Sequence, residues 1–344
     1  MSKAFITGCA GSQLSPCERS FLADERPWGL ILFGRNCEAP QQIRDLVADF
    51  RECVGAADAP VLIDQEGGRV RRLRPPHWPD YPAGAVYGKL FDQDRPAGCR
   101  AAWLGGRLMG ADLAELGITV DCLPIVDLPT PETSDAIGDR AYGHTVEAIA
   151  EIGRALSDGL AAAGVLPVVK HIPGHGRARV DSHLELPVVD ASAEDLSALD
   201  FEPFRRLRDL PMAMTAHVVY SALDPERCAT RSPIIIDRVI RRDIGFDGLL
   251  MSDDVSMKAL GGDMGGRIRD LFAAGCDMAL HCNGDFAEMR AVAANSPVLA
   301  GRAAERADAA LAARRVPEAS VDLVALRAEF DALLDRVGAQ PQGA

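Results

Sequence analysis

Residues 165–187, VLPVVKHIPGHGRARVDSHLELP, join a short apolar run to a loop rich in charged side chains, imidazoles, glycines and prolines. The apolar run, residues 165–169, predicts a buried strand. Lys170 and His171 follow it directly. A cation and an imidazole at the end of a buried strand lose several kcal/mol of hydration unless they are paired or take part in chemistry. This stretch therefore predicts a strand whose end opens into a functional pocket, and it disfavours a solvated surface loop.

Similar apolar runs recur along the chain and alternate with helical patterns. The predicted strands are residues 4–7, 29–33, 60–64, 118–124, 166–170, 211–216, 248–252 and 277–281. The predicted helices include residues 40–53, 101–116, 145–163, 192–207, 267–274 and 285–294, and the sequence SAED at 192–195 is typical of a capped helix start. Repeated strand–helix units with nearly continuous apolar strands indicate a parallel sheet. Eight such strands predict an α/β fold, a single closed (β/α)8 TIM-type barrel, and an open doubly wound sheet is the alternative.

Length and charge limit the class of protein further. The 344 residues, 48% of them apolar, suffice for one large core, and we expect one catalytic domain over residues 1–337, including C-terminal helices, followed by a disordered tail over 338–344. With 37 basic and 50 acidic residues the net charge is −13, which argues against a nucleic-acid or anionic-membrane partner.

Cysteine usage predicts the compartment. The nine cysteines are odd in number and show no C-x-x-C spacing, while the N-terminus lacks a signal-peptide core and no apolar run reaches 18 residues. Scattered cysteines of this kind are typical of the reducing cytoplasm and not of a disulfide framework. We therefore expect a cytoplasmic protein.

Polar clusters follow six of the predicted strands, at the end where parallel barrels carry their chemistry. They contain Asp64 and Glu66, then Asp121 and Asp127, then Lys170 and His171, then Thr215 and His217, then Asp253 and Asp254, then His281 and Asn283. Caps and turns could explain one such cluster but not six at the same end. The composition predicts a pocket for a small, multiply hydroxylated substrate.

The motifs in these clusters resemble a known family. DQEGGRVRRL (64–73), IGDRAYG (137–143), KHIPGHG (170–176), DSHLELP (181–187), TAHVVY (215–220) and LLMSDDVSMKAL (249–260) occur in this order. Together they resemble glycoside hydrolase family 3 β-N-acetylhexosaminidases, above all the single-domain bacterial members that recycle peptidoglycan, over residues 31–283. The resemblance implies removal of terminal N-acetylglucosamine from muropeptides through a covalent glycosyl-enzyme intermediate, with no cofactor and no metal. One departure is Arg177, where the family pattern usually has an acidic residue.

Two roles are expected for the reaction itself. Asp253 follows the apolar residues 249–251, so its carboxylate should lie at a rigid strand tip, and the resemblance implies that it is the nucleophile. Asp254 is then a supporting residue, a hydrogen-bond acceptor, and the two adjacent carboxylates must point apart or be neutralised. No second catalytic carboxylate stands out. The resemblance implies that His183 is the acid/base, since an imidazole gives and takes protons near neutral pH, and Asp181 would fix its tautomer.

The remaining pocket residues are expected to hold the sugar. The resemblance implies that Asp64 accepts hydrogen bonds from sugar hydroxyls and that Arg72, Arg140, Lys170 and His171 are substrate contacts. Glu66 and Arg69 are expected to form a structural ion pair within their turn. His217 either lines the site beside the nucleophile or belongs to the core.

Other functions stay open at this point. A family 3 β-glucosidase or a glycoside phosphorylase is the alternative among enzymes that act on glycosides. A metal-dependent hydrolase could use His171, His175, Asp181 and His183 as ligands, although Lys170 would repel the cation. A non-enzymatic sugar-binding protein is the alternative from a different class, but it has no need of a strand-tip carboxylate and an Asp–His pair together.

Overall fold

Eight parallel strands form a closed barrel in the computed structural model, which describes residues 1–180, 185–317 and 320–338. The barrel strands are β1 (Lys3–Thr7), β2 (Pro27–Leu32), β3 (Val61–Ile63), β4 (Val120–Asp121), β5 (Leu166–Ile172), β7 (Met212–Thr215), β9 (Leu249–Asp254) and β10 (Met278–His281). The barrel closes where β1 pairs with β10, with Phe5 opposite Ala279. Each predicted strand coincides with one of these, so the barrel is confirmed and the open sheet is wrong. The two remaining strands, β6 (Val188–Val189) and β8 (Val219–Tyr220), pair with each other outside the barrel.

The strands are apolar on both faces because both faces are buried. Alternate residues belong to two separate clusters. Ile6, Leu62, Val168, Met251 and Leu280 belong to the cluster inside the barrel. Their chain neighbours, such as Phe5, Ile63 and Val169, pack outward with the helices.

Helices surround the barrel and connect its strands. They are α1 (Pro16–Glu25), α2 (Pro40–Val54), α3 (Gly84–Gln93), α4 (Arg95–Glu115), α5 (Val146–Ala162), α6 (Ala193–Asp195), α7 (Glu202–Arg206), α8 (Met264–Ala274), α9 (Phe286–Asn295), α10 (Gly301–Ala312) and α11 (Leu323–Asp335), with π-helical segments at Leu196–Asp200 and Ile235–Ile244. All six predicted helical stretches are present. The predicted cap is also confirmed, since the Ser192 hydroxyl accepts a hydrogen bond of 3.0 Å from the backbone N–H of Asp195.

The C-terminal helices pack on the outside of the barrel. Phe330 and Leu334 of α11 are buried, and Glu329 forms a bidentate ion pair with Arg100 of α4 at 2.7 Å. Gly338 ends the described part of the chain in a turn, and the rest of the predicted tail, 339–344, lies outside the described residues. Among the described residues, no helix combines the length and apolar character needed to span a bilayer.

Candidate active site

A cavity of about 290 Å³ opens at the carboxyl ends of the barrel strands. Six residues predicted for the site line it together: Asp64, Arg72, Arg140, Lys170, His171 and Asp253. Phe33, Glu66, His175, Asp254 and Cys282 also line it. Since these side chains come from different strand ends, the barrel itself assembles the site.

Lys170 lies between two buried carboxylates. Its Nζ donates to Asp64 Oδ1 at 2.9 Å and to Glu66 Oε1 at 2.8 Å. Burial alone would lower the pKa of Lys170, but Asp64 and Glu66 outweigh it and hold that pKa above its usual value. Lys170 is therefore charged at neutral pH.

Two arginines complete the charge balance around these carboxylates. Arg72 donates to Asp64 Oδ2 at 2.9 Å, and Arg140 forms a bidentate pair with Glu66 at 2.8 Å. Burial would raise the pKa of Asp64, but Lys170 and Arg72 hold it well below its usual range. The cluster is ionised and supplies charged donors and acceptors for hydroxyl groups.

The predicted Glu66–Arg69 ion pair is wrong. Arg69 turns outward and pairs with Asp139 at 3.0 Å, where both side chains are about half exposed. The Glu66 side chain is only 4% exposed and turns into the cavity. The fold brings Arg140 and Lys170 to Glu66 from distant parts of the chain, and their combined charge compensates its burial.

His171 is oriented by Asp127, which follows β4. The ring Nδ1 lies 2.7 Å from Asp127 Oδ2, and the other carboxylate oxygen accepts the backbone N–H of His175 at 2.6 Å. Because an ionised carboxylate only accepts, Nδ1 carries the proton. Burial would raise the pKa of Asp127, but His171 outweighs this and lowers it. His171 is among the residues that line the cavity.

His175 lies beside His171, with ring centroids 5.6 Å apart. Neither of its ring nitrogens has a hydrogen-bond partner within the described parts of the chain. Burial, followed by the nearby His171, lowers the pKa of His175 to about 4. The ring is therefore neutral at physiological pH.

Asp253 lies at the end of β9, beside Asp254, and the two carboxylates point apart. Asp253 Oδ1 accepts the backbone N–H of Asp254 at 2.7 Å. The Asp254 carboxylate turns to Ser256, accepting from its N–H at 2.9 Å and its hydroxyl at 2.6 Å, and to the backbone N–H of Cys282 at 3.1 Å. This arrangement matches the expected supporting role of Asp254 as an acceptor.

The Asp253 carboxylate is ionised despite its burial. Desolvation would raise its pKa, but His217, His171 and the Asp254 N–H together hold the pKa of Asp253 below its usual value. His217 itself is fully buried beneath the two aspartates and does not line the cavity. Of the two placements open from the sequence, the structure supports the buried one.

Two predicted catalytic residues, Asp181 and His183, lie outside the described residues. These two residues are also half of the four ligands expected for a metal-dependent hydrolase. Within the described ranges, no three His, Cys, Asp or Glu side chains are grouped to hold a metal ion.

Sequence reasoning missed three residues that shape the site. Glu66 was assigned to the wrong partner, and Asp127 was noted only as a polar residue at a strand end. Phe33 had no polar signal at all, yet the Arg72 guanidinium lies 4.7 Å from its ring centroid. The positions of Glu66 and Asp127 at strand ends could have marked them, but their partners are 44 or more residues away in sequence.

Comparison with known proteins gives the family. The Glycosyl hydrolase family 3 N terminal domain matches residues 10–318. The chain belongs to glycosyl hydrolase family 3. Family membership makes it a glycoside hydrolase, as the motifs predict, and the observed barrel agrees with solved family structures.

Similar proteins cover most of the chain. A Beta-hexosaminidase of Alkalilimnicola ehrlichii is 40% identical over 283 residues, covering 81% of this chain and 80% of the relative. NagZ from Neisseria gonorrhoeae, solved in complex with N-trifluoroacetyl-D-glucosamine, is 31% identical with a TM-score of 0.85 and covers 99% of both chains. Beta-N-acetylhexosaminidase from Beutenbergia cavernae is 26% identical with a TM-score of 0.71, covering 97% of this chain and 95% of that one.

Proposed function

We propose that this chain is a retaining exo-β-N-acetylglucosaminidase that removes terminal N-acetylglucosamine from muropeptides through a covalent glycosyl-enzyme intermediate. The observation that carries the proposal is the buried, ionised carboxylate of Asp253 at a strand tip that faces the cavity. Retaining hydrolysis needs such a carboxylate on one face of the anomeric carbon. A rigid strand holds it where attack requires little reorganisation.

The charged cluster opposite Asp253 would hold the terminal sugar. Asp64 accepts hydrogen bonds from its outer hydroxyls, while Arg72, Arg140 and Lys170 donate to hydroxyl oxygens. The ring of His171, oriented by Asp127, adds a further polar contact. A cavity of about 290 Å³ is at the small end of ligand sites, which favours one sugar unit and therefore an exo mode of cleavage.

The acid/base role is assigned to His183, with Asp181 orienting its ring, on the family motif alone. His183 would protonate the leaving-group oxygen as Asp253 attacks. It would then remove a proton from the water that releases the sugar from Asp253. His183 gives up one proton in the first step and regains one in the second, so it ends in its starting protonation state.

The choice of an acetamido sugar is supported by the relatives. Several are named Beta-hexosaminidase, and the Neisseria enzyme was solved with an N-acylated glucosamine. A cytoplasmic location, where muropeptide fragments would be processed, is supported by the nine cysteines, all of them free thiols.

The test compares nitrophenyl N-acetylglucosaminide with nitrophenyl glucoside, each with and without inorganic phosphate. We expect the N-acetylglucosaminide to be hydrolysed with a kcat/KM about 100-fold higher, since the site would form contacts to the acetamido group that glucose lacks. An Asp253→Asn sample prepared in parallel measures contaminating glycosidase.

Two outcomes would contradict the proposal. Equal or faster glucoside cleavage would make the chain a β-glucosidase. A sugar 1-phosphate product formed at a phosphate-dependent rate would make it a phosphorylase. Release of N-acetylglucosamine from a purified muropeptide, measured by mass spectrometry, then tests the natural substrate, and an intact muropeptide would exclude that substrate.

A further inference from the structure

A buried hydrogen-bonded chain of Thr215, Thr230 and His217 lies beneath the two aspartates of β9. All three side chains are fully buried. The Thr215 and Thr230 hydroxyls are 2.8 Å apart, and Thr230 Oγ1 is 2.7 Å from His217 Nδ1. None of the three lines the cavity, so the sugar contacts do not explain them.

Both ends of this chain hold the backbone of the same dipeptide. The N–H of Asp253 donates to Thr215 Oγ1 at 3.4 Å, and His217 Nε2 lies 3.0 Å from the carbonyl oxygen of Asp254. Thr230, in the short helical turn Ala229–Arg231, joins the two arms of the chain, which are Thr215 on one side and His217 on the other. One hydroxyl thus links the groups that hold both ends of the dipeptide.

The proton positions along the chain follow from its two ends. The Asp254 carbonyl can only accept, so Nε2 of His217 carries a proton. Burial lowers the pKa of His217 despite the opposing charge of Asp253, so the ring is neutral and its Nδ1 accepts. Thr230 Oγ1 lies 2.7 Å from Nδ1 and 3.1 Å from the carbonyl oxygen of Ala216, and we assign its one proton to the nearer acceptor, Nδ1. Thr215 then donates to Thr230. The oxygen of Thr215 is left to accept the Asp253 N–H, so the donors run in one direction.

The direction of the Asp253 carboxylate depends on this backbone. Among the described residues, its one hydrogen bond comes from the N–H of Asp254, within the same dipeptide. A shift of the dipeptide would therefore carry the carboxylate with it. Attack on an anomeric carbon needs the reacting atoms about 3–3.5 Å apart and aligned, so small shifts are costly.

We propose that Thr230 and His217 are positioning residues. They fix the direction of the Asp253 carboxylate by holding both ends of the Asp253–Asp254 dipeptide. The inference rests on the proposed function, in which Asp253 is the nucleophile. It assigns a role in the covalent step to a residue, Thr230, that lies outside the barrel strands and outside the cavity.

The experiment measures inactivation by 5-fluoro-N-acetylglucosaminyl fluoride, whose fluoride leaves with little need of an acid. The rate at saturation reports attack by Asp253, and the half-saturation concentration reports sugar binding. Thr230→Val keeps the shape but removes the hydroxyl that joins the arms. We expect its saturating rate to fall about 10–100-fold, with the half-saturation concentration within about threefold of wild type. Thr230→Ser restores the hydroxyl and should recover most of the rate.

Two further variants separate positioning from general stability. Thr215→Val breaks one arm and should give a smaller loss, and combined with Thr230→Val it should add little, because both interrupt the same chain. The matched control is Thr119→Val. Thr119 is also buried, and its Oγ1 accepts the N–H of Val61 at 3.2 Å at the opposite end of the barrel. This variant should lose stability without losing inactivation rate.

Each result supports or overturns the inference. A saturating rate of Thr230→Val within threefold of wild type would overturn it. So would a half-saturation concentration that rises as much as the rate falls, or a rate that does not recover in Thr230→Ser. If Thr230→Val does not fold, an unchanged rate in Thr215→Val would overturn it equally. Failure of the wild-type enzyme to be labelled at Asp253 would refute the proposed nucleophile and this inference together. Labelling of wild type with unaffected variants would refute the positioning role alone.

Discussion

Glu66 is the residue that pairs with both Arg140 and Lys170 inside the cavity, the two cations that we propose contact the sugar. Glu66→Gln removes the charge and leaves two buried cations less compensated. We expect kcat/KM to fall about 10–100-fold, equivalent to about 1–3 kcal/mol of transition-state stabilisation, together with a lower Tm.

The matched control is Asp139→Asn, which removes the exposed partner of Arg69. Exposed ion pairs contribute at most about 1 kcal/mol, so both kcat/KM and Tm should stay close to wild type. Equal effects of the two substitutions would mean that Glu66 does not organise the cavity.

His183 is assigned as the acid/base on sequence alone, and its test depends on the leaving group. Protonation matters most when the leaving group is poor. His183→Ala should therefore reduce kcat/KM for a natural disaccharide far more than for a dinitrophenyl glycoside. The measurement is kcat/KM across aryl glycosides of graded leaving-group pKa. A loss that is the same for all of them would make His183 a binding or folding residue.

At the scale of single residues, the sequence identified positions better than partners. Six residues that were predicted from their strand-end position or their motif line one cavity. The pairing of Glu66 with Arg69 was wrong because closeness in sequence says little about contacts in a barrel. Asp127 was missed as the partner of His171 since their contact spans 44 residues.

Among the elements, the loop after β5 is tied to the helical segment around Asp200 through Arg177. The Arg177 Nε donates to Asp200 Oδ2 at 2.7 Å. Burial raises the pKa of Asp200 to about 6, and Arg177 opposes a larger rise. The acidic residue that the family pattern usually has at position 177 would repel Asp200, so in this chain the arginine stabilises the loop.

This pair predicts a pH-dependent stability. A carboxyl group whose pKa is raised on folding favours the folded state below its unfolded pKa of about 3.9, and this contribution is lost as the pH rises through about 6. Without Arg177 the ionised form of Asp200 would be less compensated. Arg177→Ala should therefore lower Tm more at pH 8 than at pH 5.

The control for this prediction is Arg179→Ala, two residues along the same loop. Arg179 pairs with Glu132 at the surface, where its side chain is 71% exposed. Its removal should change Tm little and equally at both pH values. An Arg177→Ala effect that is independent of pH would refute the coupling to Asp200.

Strand identity was predictable from apolar runs, but strand length and minor strands were not. The run at 118–124 contains a regular strand of only two residues, β4, although Cys122 still donates to the Ile63 carbonyl at 2.8 Å and Leu123 still accepts from the Val168 N–H at 2.9 Å. The strands β6 and β8 were missed, since two-residue strands carry no periodicity.

At the scale of the whole molecule, α11 completes the outer layer on α4 and α3. Phe330 is buried with its ring centroid 6.3 Å from Tyr81 and 6.4 Å from Tyr87. Phe330→Ala should cost about 3–5 kcal/mol of stability through the cavity that it leaves. Because no α11 residue lines the cavity at the strand ends, kcat/KM at 25 °C should stay within about twofold.

Glu329→Gln on the same helix is the control, since its pair with Arg100 is 43% exposed on both sides and should contribute at most about 1 kcal/mol. The measurements are Tm and kcat/KM for both variants. Loss of activity in a folded Phe330→Ala enzyme would contradict the placement of the site on the barrel without a contribution from α11.

Barrel closure is the feature of the whole molecule that local patterns support only indirectly. Eight strand–helix units fit either a barrel or an open sheet, and the difference lies in the pairing of β1 with β10 at opposite ends of the chain. The count of eight, which is typical of (β/α)8 barrels, favoured the barrel.

The central claim is that Asp253 forms a covalent bond to the sugar. The most direct test is mass spectrometry of the enzyme inactivated by 5-fluoro-N-acetylglucosaminyl fluoride, followed by peptide mapping. We expect one added sugar per chain on a peptide containing Asp253, no labelling of Asp253→Asn, and a kcat for that variant lowered by at least about three orders of magnitude. Labelling of another residue, or near-normal turnover by Asp253→Asn, would contradict the account.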